Sequence, residues 1–173
     1  MRRAALIALA ALLCACGSST PLAATTTSPS ASGVPSPLST PPASTKCPSA
    51  ADVGSTLGIT VPAPTGVTGG TTTLPAGATG LACDYHASTY NVIIEIITNI
   101  DPSYISKFSS RFPVAYSAVA GVGDQARSFL VSIGGGRDNE GVVATKGRRL
   151  VSVVATATPA TLAQVETLVR QLL

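Results

Sequence analysis

The sequence has few charged residues, few aromatic residues and no tryptophan. Charged side chains make up 11% of the 173 residues and aromatic side chains 4%. Eleven Lys and Arg stand against eight Asp and Glu, and the basic residues form no obvious cluster. Proteins that bind nucleic acid or other polyanions carry a basic patch. We therefore expect no nucleic-acid partner.

Histidine is nearly absent, since His86 is the only one. A zinc site uses four ligands, and the Cys83-x-x-His86 spacing supplies two, of which the cysteine is better used in a disulfide. The sequence therefore predicts neither a metal nor another cofactor.

The single histidine also limits hydrolase chemistry. Asp84 shares a strand face with His86, about 7 Å away along the strand, but no Gly-x-Ser-x-Gly motif identifies a nucleophile. An exposed histidine on a sheet is the simpler interpretation. A hydrolase using Asp84, His86 and an unidentified serine is the alternative.

No apolar segment is long enough to cross a membrane, and the run that comes nearest lies at the N-terminus. Residues 4–15 are apolar throughout, and as a helix they would cover about 18 Å of a hydrocarbon core of about 30 Å. Arg2 and Arg3 precede this run, and Leu13 and Ala15 stand at positions −3 and −1 of Cys16. We expect residues 1–15 to be a lipoprotein signal peptide and the Cys16 thiol to carry a diacylglycerol anchor with acyl chains such as palmitate.

Two alternatives to this anchor remain open. Cys14 fits the cleavage site less well, because Leu13 and Ala11 occupy its −1 and −3 positions. An ordinary secretory signal with incidental cysteines is the second.

The next segment cannot form a core. Residues 17–45 contain six Pro, eight Ser and six Thr and no charged side chain, a composition typical of disordered linkers. We expect residues 16–45 to be a tether and residues 46–173 to be one globular domain. Without Arg2 and Arg3 the rest of the chain is nearly neutral.

Cysteine use predicts one disulfide. If Cys14 is removed with the signal and Cys16 is acylated, Cys47 and Cys83 remain. An oxidising space outside the cytoplasm favours a bridge between them.

Hydrophobic periodicity predicts an α+β fold. We expect a two-layer sandwich, a mostly antiparallel sheet of five to six strands with helices on one face. The expected helices cover residues 49–58, 101–112 and 158–172, and Thr158 caps the last one. The expected strands cover residues 81–86, 90–99, 127–133, 142–146 and 149–156. We expect residues 61–80 to form an irregular loop with one poor strand at most.

Three polar features need an interpretation. Glu95 interrupts an apolar strand face: it is partly open to solvent, pairs with Arg127 or Arg149, or lines a ligand cavity between sheet and helix. Residues 134–141 concentrate Gly with Asp and Glu, and a hairpin turn is favoured there over a calcium loop. Asp124 is expected to accept hydrogen bonds from local backbone amides in a turn.

Several of these features together resemble a known group of proteins. They are the lipobox, the Pro/Ser/Thr tether, Cys47-Pro48 before a short helix ending at Gly58, Cys83-x-Tyr85, Gly121-Val122-Gly123-Asp124, and a Val-rich hairpin before a C-terminal helix. The chain resembles small actinobacterial cell-envelope lipoproteins, of the mycobacterial and nocardial type, whose domains have no known function. The resemblance implies an envelope location and a Cys47–Cys83 disulfide, and supplies no catalytic residues.

These observations predict a lipid-anchored protein on the extracytoplasmic face of the cell membrane. We expect a non-enzymatic binding or interaction module that engages an envelope lipid, glycan or protein. The alternatives are the hydrolase and an assembly subunit whose exposed Val-rich strands pair with a partner sheet.

Overall fold

The computed structural model describes residues 46–68, 73–132, 138–156 and 160–173. The predicted signal peptide at residues 1–15, the lipidation site Cys16 and the tether at residues 16–45 lie outside these residues. The predicted cap Thr158 and most of the Gly-rich turn, residues 134–137, also lie outside them.

The described residues form one open antiparallel sheet of seven strands in the order β1-β2-β3-β7-β6-β5-β4. The antiparallel pairing is confirmed, and the sheet has more strands than predicted. The strands are β1 (Thr65–Thr68), β2 (Thr79–His86), β3 (Asn91–Thr98), β4 (Tyr116–Ala118), β5 (Gln125–Ser132), β6 (Asp138–Lys146) and β7 (Arg149–Thr156).

The two strands at the sheet edges are short. β1 has four residues and lies in the segment 61–80, where one poor strand at most was expected, whereas β4 has three and was not predicted. A strand this short shows too few alternations to be recognised, and its hydrogen bonds to a longer neighbour define it. Short edge strands also limit pairing with other chains.

Strand β6 begins earlier than predicted, because a glycine expected in a turn lies inside it. Gly141 pairs with Phe129 of β5, and the Phe129 ring occupies the space that a Cβ of residue 141 would need. A bulky neighbour thus makes glycine the suitable strand residue here. The predicted Val-rich hairpin is confirmed, and β6 and β7 are joined by a tight turn at Gly147.

The described residues form three helices, α1 (Ala50–Leu57), α2 (Tyr104–Ser109) and α3 (Leu162–Leu172). In α1 the Ser49 side chain accepts a hydrogen bond from the Asp52 amide, and Gly58 ends the helix in the left-handed conformation, which agrees with the expected range 49–58. At α3 the N-cap is Thr161, and its amide donates to Gln164 Oε1 at 2.8 Å. None of these helices is long and apolar enough to span a membrane.

Helices α1 and α3 cover one face of the sheet and contact each other. Buried residues of this first face alternate along the central strands, as the pairing of Ile94 with Val153 shows. The first-face core includes Val53, Leu57, Leu81, Cys83, Tyr85, Val92, Ile94, Ile96, Val142, Val151, Val153, Val165, Leu168 and Val169.

Helix α2 packs on the opposite face, so the prediction of helices on one face is wrong. Its Tyr104, Ile105 and Phe108 form a second core with residues of β3, β5, β6 and β7. The second-face core members on the strands are Ile97, Phe129, Val143 and Leu150. Because these strands are apolar on both faces, each face needs its own cover.

The Val-rich strands β6 and β7 lie inside the sheet. Each is hydrogen-bonded to a neighbour on both sides, β6 between β5 and β7 and β7 between β3 and β6. The expectation of exposed Val-rich strands, which suggested an assembly subunit, is therefore wrong.

Candidate functional site

A buried arginine stands at the start of β7 on the first face. Arg149 pairs in the sheet with Thr98 and Lys146, and strand alternation places it on the same face as Val151. Helices α1 and α3 cover this face, so only 8% of Arg149 is exposed to solvent. Arginine is rarely buried to this extent unless its charge is paired.

The side chain lines a cavity of about 590 Å³, within the range typical of small-molecule sites. We call it the Arg149 cavity. Its walls come from the segment before α1, from α1, from the C-terminal half of α3 and from the sheet: Lys46, Cys47, Pro48, Asp52, Ser55, Thr56, Ile96, Arg149, Leu168, Gln171 and Leu172.

No residue in the described part of the chain hydrogen-bonds or pairs with the Arg149 guanidinium. Its Nε atom is fully buried and has no acceptor among these residues. Burial lowers the pKa of the Arg149 guanidinium from its ordinary value, yet an arginine side chain stays protonated in proteins. The cavity is therefore lined by a positive charge whose Nε atom is buried without an acceptor among the described residues.

The walls around this charge are held by defined contacts. The Cys47–Cys83 disulfide joins the segment before α1 to β2, which confirms the predicted bridge. The Tyr85 hydroxyl donates to the Pro48 carbonyl oxygen at 2.6 Å. Between the helices, the Thr56 hydroxyl donates to Gln171 Oε1 at 3.0 Å.

The two sides of the cavity differ in polarity. Ile96, Leu168 and Leu172 supply an apolar wall, whereas α1 contributes hydroxyl groups and an exposed carboxylate, Asp52. That carboxylate accepts a hydrogen bond from the Ser49 hydroxyl at 2.6 Å. The arrangement suits a ligand whose acidic group meets the guanidinium and whose apolar part lies along α3.

The chain matches no protein-family model, no curated protein and no solved structure.

Glu95 lies on the second face, away from the Arg149 cavity. Its cross-strand neighbour is Ser152, an odd number of residues from Arg149, so the two charged side chains point to opposite faces. Glu95 is 7% exposed, and its Oε1 lies 3.8 Å from the Arg111 guanidinium. Its observed basic partner is thus Arg111 rather than Arg127 or Arg149, and Glu95 does not line any of the three described cavities.

Asp84 and His86 lie on the exposed part of β2. Their cross-strand neighbours on β3 are Ile93 and Asn91. Within the described ranges, neither side chain has a hydrogen bond or ion pair with the other or with a serine. Among the residues that the structure describes, Asp84 and His86 thus form no hydrogen-bonded arrangement with a serine.

Two other polar features of the sequence have structural positions. Within the ranges that the structure describes, no three His, Cys, Asp or Glu side chains are close enough to hold a metal ion.

Asp124 Oδ2 accepts from the Gly147 amide at 2.7 Å. This bond ties the Gly121–Asp124 segment to the β6–β7 turn, so the expectation of a local amide donor is wrong.

Sequence reasoning considered Arg149 only as a partner for Glu95. One signal for its burial was present: Arg149, Val151, Val153 and Ala155 alternate along β7, which places the arginine in line with core residues. The residues that surround it come from α1 and α3, more than one hundred positions apart, and no local pattern relates them.

Proposed function

We propose that residues 46–173 act as a non-enzymatic binding module of the cell envelope. We further propose that the Arg149 cavity holds the carboxylate or phosphate group of a small amphipathic envelope molecule. The single observation that carries this proposal is the Arg149 guanidinium, which lines a cavity and whose buried Nε atom has no acceptor among the described residues.

Energetics support a ligand in this position. Burying an unpaired charge costs several kcal/mol, and an oxyanion bound to it would recover part of that cost through charge-assisted hydrogen bonds. The apolar wall of Ile96, Leu168 and Leu172 favours a ligand with a hydrocarbon part, at about 25 cal/mol per Å² buried.

The test is native mass spectrometry of the full chain purified from its envelope, followed by organic extraction. The wild-type chain should retain a molecule with a carboxylate or phosphate group, and Arg149→Met should lose it. Arg148→Met is the matched control, because Arg148 is the exposed neighbour at the β6–β7 turn. Dodecanoate and dodecyl phosphate serve as defined probes in titrations of the same three proteins.

Two results would contradict the proposal. One is an Arg149→Met chain that binds the molecule or the probes as well as the wild type. The other is a wild-type chain that binds none of them. Arg149→Met is expected to fold with equal or greater stability, because it replaces an unpaired buried charge with an apolar side chain of similar length.

We also propose that a lipid on Cys16 holds this module on the extracytoplasmic face of the membrane, with residues 16–45 as the tether. The support is the lipobox and the Pro/Ser/Thr composition. The test is partition of the expressed chain between membrane and soluble fractions. Cys16→Ala should abolish membrane retention and labelling by radioactive palmitate, whereas Cys14→Ala should retain both. Equal behaviour of the two variants would contradict the assignment.

A further inference from the structure

A second cavity lies on the first face, beside the N-terminal end of α3. It has a volume of about 350 Å³ and is lined by strands β4, β5 and β6 together with Leu162 of α3. The Arg149 cavity adjoins the other end of this helix. Along β7, Ala155, the neighbour of Glu140, lies six positions after Arg149, which corresponds to about 20 Å. The two cavities are thus separate.

A partly buried carboxylate faces this second cavity. Glu140 stands on β6 between Leu130 of β5 and Ala155 of β7, neither of which offers a hydrogen bond from its side chain. Its Oε2 atom is fully buried and has no donor among the residues that the structure describes. Burial raises the pKa of the Glu140 carboxyl above its ordinary value.

The rest of the lining combines hydroxyl groups with apolar surface. Ser117 and Ser128 contribute hydroxyls, and Leu130 and Leu162 contribute apolar surface. Leu130 is the cross-strand neighbour of Glu140 and is 53% exposed, so it offers apolar surface to a ligand. None of the described lining side chains is basic, so the carboxylate is the only formal charge among them.

We propose that the Glu140 cavity binds an organic ammonium group that carries an apolar substituent. The ammonium would donate to the Glu140 carboxylate, and the substituent would cover Leu130 and Leu162. A cation supplies both the missing donor and the missing counter-charge, whereas a neutral hydroxyl supplies the donor alone. This inference does not depend on the function proposed for the Arg149 cavity.

The test is a ligand-observed NMR titration of the intact chain with hexylammonium, with 1-hexanol as the neutral probe of equal length. The wild type should bind hexylammonium at least ten times more tightly than hexanol. Glu140→Gln should weaken hexylammonium binding at least ten-fold and leave hexanol binding unchanged. Glu166→Gln is the matched control, because Glu166 is a carboxylate of α3 that pairs with Arg170 outside this cavity.

A second variant tests the apolar wall. Leu130→Asn should reduce the affinity for hexylammonium several-fold. Because Leu130 is exposed, this variant should stay folded, and circular dichroism checks that directly. Three results would overturn the proposal: no hexylammonium binding to the wild type, equal binding to Glu140→Gln, or hexanol binding as tight as hexylammonium binding.

Discussion

Two buried polar side chains of the first face, Tyr85 and Arg149, have different surroundings. Tyr85 is completely buried, and its hydroxyl donates to the Pro48 carbonyl. Arg149 is nearly as buried and has no acceptor among the described residues. A satisfied buried group stabilises the fold, whereas an unsatisfied one costs free energy unless a ligand meets it. Stability and binding are therefore assigned to different residues of one face.

Tyr85 should make the protein sensitive to alkaline pH. Burial, with a smaller contribution from the Asp52 carboxylate, raises the pKa of Tyr85 from 10.0 to about 12. Because the folded state holds this proton more tightly than the unfolded state, its contribution to stability is complete below pH 10 and is lost as the pH rises towards 12. We expect a loss of about 2 kcal/mol over that range, measured by urea unfolding at a series of pH values.

The control for this prediction is Tyr85→Phe, which keeps the ring and removes the titrating hydroxyl. At pH 8 this variant should be about 1 kcal/mol less stable than the wild type, because the Pro48 carbonyl loses its donor. The difference between the two proteins should shrink or reverse between pH 10 and pH 12. Two curves that stay parallel across this range would show that Tyr85 does not titrate as expected.

At the scale of elements, α2 and the turn after it are fastened to the second face by aromatic and ionic contacts. The Arg111 guanidinium lies 4.4 Å from the centre of the Phe108 ring and 3.8 Å from Glu95 Oε1. The Phe112 ring stacks on Phe129 of β5 with 5.7 Å between centres. Arg111 thus bridges the helix to a carboxylate in the middle of β3.

A double-mutant cycle on Glu95 and Arg111 should reveal favourable coupling. Glu95→Gln, Arg111→Gln and the double variant are expected to give a coupling free energy of about 1 kcal/mol in urea unfolding. Arg111→Gln should be the costlier single change, because it also removes the cation–π contact with Phe108. A coupling energy of zero would mean that Glu95 is stabilised by other contacts.

The Glu166–Arg170 pair of α3 provides the comparison. Its atoms are closer, at 3.1 Å, but both side chains are more exposed than their counterparts in the Glu95–Arg111 pair. Solvent screens exposed pairs, so we expect a coupling of about 0.4 kcal/mol there. If the exposed pair coupled more strongly than the buried pair, distance rather than burial would decide the energy in this protein.

At the scale of the whole molecule, the disulfide joins the first described residues to the sheet. Cys47 and Cys83 are 36 positions apart, and their bridge holds the segment before α1 against β2. Closing a loop of this length stabilises a fold by about 3 to 4 kcal/mol in the chain-entropy model. Cys47→Ala with Cys83→Ala should lower the free energy of unfolding by about that amount.

The same variant should also affect the Arg149 cavity, because Cys47 and Pro48 form part of its wall. We expect weaker binding of dodecanoate and dodecyl phosphate, with the affinity for hexylammonium at the Glu140 cavity unchanged. Wild-type protein treated with reductant should behave like the double variant. If the double cysteine variant lost less than about 1 kcal/mol of unfolding free energy, packing of α1 alone would hold the segment before this helix against the sheet.

The sequence by itself determined the elements whose signals are local. The apolar residues of 149–156 and the β-branched run at 90–99 identified two strands, the second of them as central, and Ser49 with Gly58 bounded α1 correctly. The two cysteines left for the folded part identified the disulfide. Each of these signals depends on a few neighbouring residues or on a count, which is why no fold was needed to interpret them.

Only the tertiary structure decided which face each helix covers and what surrounds each buried charge. A helical stripe shows that α2 packs on something apolar, but β3 and β7 offer two apolar faces, and periodicity does not choose between them. Likewise, the pairing of β3 with β7 sets Glu95 and Arg149 on opposite faces. Register and packing are long-range properties, so the Arg149 and Glu140 cavities emerge only when distant segments come together.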